Sequence, residues 1–176
     1  MSLVLNGSGS ITGLSAGGLP DGSVTADDIA STLDLSGKTV TLPSGTGGKV
    51  LQVVQGKASI QTSTTSTSYV ATGLNVTITP SSTSSKVLIL GTTHTNTGAN
   101  AHTSIFSLYR NDTTNIGSFG YQSGTDWQDV GFTMLDTPST TSATEYEVYF
   151  RSNTGDSVTC GPNDISHYII ALEIAG

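Results

Sequence analysis

The run Leu74-Asn75-Val76-Thr77-Ile78 alternates apolar and polar residues without a break, and Val130 to Met134 and Glu145 to Arg151 do much the same. A period of two puts Leu74, Val76 and Ile78 on one face of an extended strand and Asn75, Thr77 and Thr79 on the other. By the same rule Tyr146, Val148 and Phe150 turn inward, with Glu145, Glu147, Tyr149 and Arg151 outward. Turn-rich segments separate such runs roughly every 8 to 15 residues, the spacing of an antiparallel sandwich or barrel. Two runs break the alternation. Val87 and Ile89 oppose Leu88 and Leu90, and in the last run Tyr168, Ile170, Leu172 and Ile174 oppose Ile169, Ala171 and Ala175. A strand apolar on both faces needs cover on both. The small residues Ile169, Ala171 and Ala175 suit a close approach between subunits.

Before residue 49 the texture differs. Short apolar islands (Leu3 to Leu5, Ile11, Leu14, Val24, Ile29, Leu33, Leu35) stand between turn residues, and none can build a core alone. The segment "GSVTADDIAS" predicts one short helix: Thr25 is a good N-cap, Asp28 follows three residues later, and Val24 and Ile29 can staple the entry. A helix of about two turns is marginal in isolation, so a second copy of the chain is the expected partner. Gly37 to Lys57 reads as two extended runs around "PSGTGG", a hairpin signal, followed by a Ser/Thr-rich connector. The expected organisation is therefore an attachment and oligomerisation segment at 1–48, a hairpin and connector at 49–67, and a sandwich head at 68–176 that folds alone.

Composition supports the β reading. Ser and Thr supply about 30 % of the 176 residues, whereas charged residues supply 11 %, far below the ~25 % usual for globular chains. Thr favours pleated surfaces, and low charge is the opposite of a disordered profile. With six Lys and Arg against thirteen Asp and Glu, the net charge of −7 offers no basic face for a phosphate backbone, so nucleic acid is not an expected partner. No apolar run approaches the ~18 residues of a spanning helix, and membrane insertion is not expected.

Candidate chemistry is sparse. His94 and His102 flank "TNTGAN", which reads as a hairpin turn; the spacing fits no metal motif, and no metal or other cofactor is expected. Cys160 and His167 could be drawn as a nucleophile pair, but nothing orients them and no oxyanion loop is evident. The acids are scattered through turns and polar strand faces, without the paired arrangement of a glycoside hydrolase. No enzyme is expected. Strand parity leaves Trp127 opposite the core residues Val130, Phe132 and Met134, so Tyr121, Asp126 and Trp127 form a candidate aromatic and carboxylate patch for stacking on a sugar.

The phrases "GGLPDGSVTADDIAST", "GKVLQVVQ", "TSYVATGLNVTITPSSTSSKVLIL" and "YIIALEIAG" resemble a recurring group of bacteriophage virion proteins, fibre-like or tip proteins frequent in phages of marine bacteria and cyanobacteria. The resemblance implies an all-β, antiparallel, jelly-roll-like sandwich head and a parallel homotrimer. It also implies attachment to other virion proteins through residues 1–48 and display of the head at the particle surface. In that arrangement Val24, Ile29 and Leu33 of three copies pack around one axis, and Ile169, Ala171 and Ala175 line the contact between heads. The implied function is host-surface attachment by a short fibre or spike, the alternative being capsid decoration. "GSVTADDIAS" occurs once, so a long repetitive shaft is not expected.

Overall fold

The structure, a computed structural model, describes residues 50–99, 101–161 and 167–176. The candidate helix with Val24, Ile29 and Leu33 lies outside the described residues. Within them the chain forms strands and turns and no helix. The strands are β1 (Val50–Ala58), β2 (Thr62–Thr64), β3 (Val70–Ile78), β4 (Lys86–Asn96), β5 (Ser104–Arg110), β6 (Thr114–Gln122), β7 (Gln128–Asp136), β8 (Thr144–Ser152), β9 (Val158–Cys160) and β10 (His167–Ile174).

All pairings are antiparallel, as alternation without helical crossovers requires. β10 and β9 follow one another along one side of β4, against Lys86–Thr92 and Thr95–Asn96, while β7 takes the other side. β1 pairs with β10 and β2 with β9. Taking β1 with β2 and β9 with β10 as single lines, the larger sheet runs β1-β10-β4-β7 and the smaller β3-β8-β5-β6. Eight lines in this order make a jelly roll, a sandwich of two Greek keys.

Three expectations need correction. Val50–Ala58 pairs with the last strand, so this part of the segment read as hairpin and connector belongs to the larger sheet, while the other half of the expected hairpin lies outside the described residues. A fragment beginning at Ser68 would lack β1 and β2 and leave an edge of β10 bare. The segment between His94 and His102 is not a hairpin turn, because β4 and β5 belong to different sheets. Ile169 and Ala171 are fully buried within one chain and face β3, so they pack the core and cannot line a subunit contact; Ala175 stays half-buried. The outward residues of β10 are Tyr168, Ile170, Leu172 and Ile174, and both of its faces are apolar for different reasons.

The inward residues of both sheets meet as the alternation predicts: Leu74, Val76, Ile78, Val130, Phe132, Tyr146, Val148 and Phe150 are all buried. The four phenylalanines form one stack across the sandwich. Phe132 of β7 lies 4.5 Å from Phe119 of β6, Phe119 lies 5.9 Å from Phe106, and Phe106 lies 6.0 Å from Phe150. Glycines make room for it. A Cβ on Gly91 would stand 2.9 Å from the Phe132 ring, and one on Gly120 2.6 Å from Val130. At Gly56 the two sheets approach so closely that a Cβ would fall inside the Asn75 carbonyl.

The carboxylate of Glu173 is fully buried. Glu173 of β10 accepts hydrogen bonds from the Ser81 amide (2.7 Å), the hydroxyls of Ser81 (2.6 Å) and Ser85 (2.7 Å), and the Gln52 amide nitrogen (2.7 Å). Burial alone would raise its pKa, but these donors together hold it at about 2. The carboxylate thereby joins β10 to β1 and to the loop before β4. Its stabilising effect is present above the ordinary carboxylate pKa and is lost as the pH falls towards about 2, a contribution on the order of 3 kcal/mol. Glu173→Gln is expected to lower the unfolding free energy at neutral pH by about that amount and to flatten its acid dependence, both read by urea titration. Unchanged acid sensitivity would contradict this account.

Candidate functional site

The smaller sheet turns a face of tyrosines and carboxylates to solvent. Alternation along β8 sends Glu145, Glu147, Tyr149 and Arg151 outward, and β5 adds Tyr109. The register sets Tyr109 opposite Glu147. The Tyr109 and Tyr149 rings pack at 4.4 Å, Tyr69 joins Tyr109 at 5.8 Å, and the Arg151 guanidinium lies over Tyr69 at 5.5 Å. Their hydroxyls are engaged. Tyr149 donates to Asp112 (3.0 Å), Tyr69 and Ser118 share a bond (3.0 Å), and Asn115 donates to Tyr109 (3.4 Å).

The β5–β6 turn fixes the acidic corner of this face. Asn111 and Asp112 both have positive φ, 48° and 60°, and the Thr113 amide closes the turn onto the Arg110 carbonyl (3.3 Å). That is the primed turn a two-strand twist favours, and Asn and Asp tolerate it. The Asn111 side chain accepts from the Glu145 amide at 2.9 Å, and Asp112, Glu145 and Glu147 bring their carboxylates within 4.8 Å of one another. Glu147, only 8 % exposed, accepts from the Gly73 amide at 2.9 Å. Burial raises its pKa, the Gly73 amide opposes the rise, and the neighbouring Glu145 and Asp112 add to it. Burial and the bond to Asp112 push the Tyr149 hydroxyl up to about 12.

Of the patch expected from the sequence, Tyr121 is 64 % exposed near the end of β6, Asp126 is exposed, and Trp127 is half-buried in the loop before β7. Among the described residues no hydrogen bond or ring contact joins the three. The tyrosine face escaped sequence reading because its members come from four separate segments. Only the outward parity of Glu145, Glu147, Tyr149 and Arg151 was visible in advance.

The histidines also separate. His94 faces Asp129 on β7, whereas His102 donates from Nδ1 to the Thr97 carbonyl (2.9 Å) and lies 3.6 Å from Asp156. His167 and Cys160 do meet, through one hydroxyl: Thr93 Oγ1 is 2.7 Å from His167 Nδ1 and 3.1 Å from Cys160 Sγ. Both side chains are buried. Burial pushes the Cys160 thiol up to about 12, where no useful thiolate exists at neutral pH.

No protein-family model and no curated protein matches the chain. Among solved structures its backbone is similar to infectious bursal disease virus of the Gx strain, with TM-score 0.47 and 10 % identity over 78 % of this chain and 37 % of that one. It is similar also to the VP2 subviral particle of that virus (0.47, 13 %, 78 % and 37 %) and to its Gt strain (0.48, 12 %, 78 % and 36 %). The chain spans little more than a third of the length of these structures.

The buried histidine makes a pH test. Burial lowers the His167 pKa, and His94, 5.2 Å away ring to ring, lowers it further; the Gly161 backbone and Asp129 act the other way. The folded state therefore binds this proton less readily than the unfolded chain. Stability is full above the ordinary histidine pKa of about 6.5 and falls as the pH drops below it. His167→Gln is expected to weaken that dependence in urea titrations across this range. A wild-type midpoint that rises on acidification would refute the assignment.

Proposed function

We propose that the chain is a structural component of a phage virion: a short homotrimeric fibre or spike, attached through residues 1–48 and displaying the sandwich for host-surface attachment. Jelly rolls recur in capsid and lectin domains, which agrees with such a role by analogy of fold. The observation that carries the proposal is an apolar face of the larger sheet that no other described residue covers. Register aligns Val53, Leu172, Leu88 and Leu135 in one row across four strands, and Ile170 and Leu90 lie in the next. Val53 is 60 % and Leu135 57 % exposed, with Leu51 and Tyr168 also open. Beside Tyr168, Gly131 leaves a depression of about 400 Å³ that also touches Leu90, Phe132 and Thr133, a socket for a side chain of a neighbouring copy.

Four strands at about 4.8 Å spacing and six residues of height give a face on the order of 400 Å². That is about half of the ~800 Å² each partner contributes to a standard interface. Charge favours the same face. Lys57, Lys86 and Asp129 sit towards its margins, so chains of net charge −7 can meet there with little repulsion.

Sedimentation of the full chain at micromolar concentration is expected to give three chain masses. Val53→Asp with Leu135→Asp should give one chain mass that still unfolds cooperatively, because within a single chain both positions are exposed and such positions usually cost under ~0.5 kcal/mol. A monomeric wild type, or a double variant that stays trimeric, would overturn the proposal.

A further inference from the structure

We infer that the tyrosine face of the smaller sheet is a binding surface for pyranose sugars, centred on Tyr109 and Tyr149 and flanked by Tyr69, Arg151, Asp112 and Glu145. The inference rests on the reading of the sandwich as a surface-attachment head and supplies the ligand class and the place. A pyranose presents a flat C–H face and a rim of hydroxyl donors. The face of the sheet offers the complement of both. Its three rings form a contiguous aromatic cluster, inclined at 38° and 60° to one another with contacts of 4.4 and 5.8 Å, and are only half-buried, so that ring surface is left open to a sugar.

The rings are also held ready. Asp112, Ser118 and Asn115 engage the three hydroxyls, and Arg151 lies over Tyr69, so little side-chain freedom is left to lose on binding. The polar rim has spare acceptor capacity. Asp112 takes the Tyr149 hydroxyl on Oδ1 and faces Glu147, whereas the Glu145 carboxylate accepts no hydrogen bond among the described residues and can take sugar hydroxyls. Three acids and one guanidinium give the face a negative balance, which disfavours anionic sugars and selects neutral ones. The patch first suggested by the sequence lacks this organisation: nothing joins Tyr121, Asp126 and Trp127, and Trp127 lies in a loop.

The test is an amide-shift titration of the full-length protein with the methyl glycosides of glucose, galactose, mannose and N-acetylglucosamine, alongside adsorption of the protein to host cells. At least one glycoside should give saturable shifts at Tyr69, Tyr109, Tyr149 and Arg151. Tyr109→Ala should weaken that binding about tenfold or more and reduce adsorption in parallel. Glu145→Gln removes an acceptor without touching the rings, and should weaken binding severalfold with the unfolding midpoint retained, which keeps the test decisive if Tyr109→Ala fails to fold. Shifts confined to Tyr121 and Trp127 would overturn the location while leaving the attachment reading intact. Adsorption without any glycoside shift would overturn the ligand class alone, and absence of both would remove the attachment reading with it.

Discussion

The two sheets are held by contact between their inward faces, and the stack of four phenylalanines is where that contact is most continuous. Phe132 comes from the larger sheet and Phe119, Phe106 and Phe150 from the smaller, so the rings tie β7, β6, β5 and β8 into one unit. Such rings fit only if the surrounding backbone is bare. Gly91 and Gly120 provide the space, and Gly56 lets β1 approach the Asn75 backbone on β3. A side chain at any of the three would force strands apart, because close-packed interiors have little slack.

The chain has few large apolar residues to spare, and it completes the interior with hydroxyls. Thr93, Thr95, Thr97 and Ser104 are buried towards one end of the sandwich, and each is engaged. Thr95 bonds both Ser104 and the Thr159 carbonyl, while Thr97 accepts from the Gly124 amide and donates to a nearby carbonyl. Glu173 has the corresponding role elsewhere, its charge tolerated because four donors replace the lost water. The high Ser and Thr content is thus partly interior material, which reconciles a well-packed fold with a composition that resembles a linker.

With the inward residues committed to the core, alternation leaves two outer faces of opposite chemistry. The larger sheet presents leucine, isoleucine and valine, and the smaller presents tyrosine, carboxylates and one arginine. An apolar face gains most from being covered by protein, whereas an aromatic face with fixed polar edges suits small hydroxylated partners. This division underlies both proposals, self-association on one side and ligand recognition on the other. They place the proposed trimer and the proposed sugar surface on opposite sides of one sandwich.

The sequence by itself determined the fold class and the sides of the strands, because a period of two is a local property. Leu74, Val76, Ile78, Val130, Phe132, Tyr146, Val148 and Phe150 could be assigned inward without knowing any partner. Where both sides of a strand are apolar, the same rule says nothing about which side is core. Only the position of β10 over β3 decided that Ile169 and Ala171 are buried while Ile170 and Leu172 face out. Pairing was equally non-local: β1 lies beside β10, more than a hundred residues later, which no local pattern announces. The tyrosine face shows the same limit, since Tyr69, Tyr109, Asp112 and Tyr149 have no shared spacing along the chain. The pairing of β5 with β8, the β5–β6 turn and the entry to β3 make them neighbours.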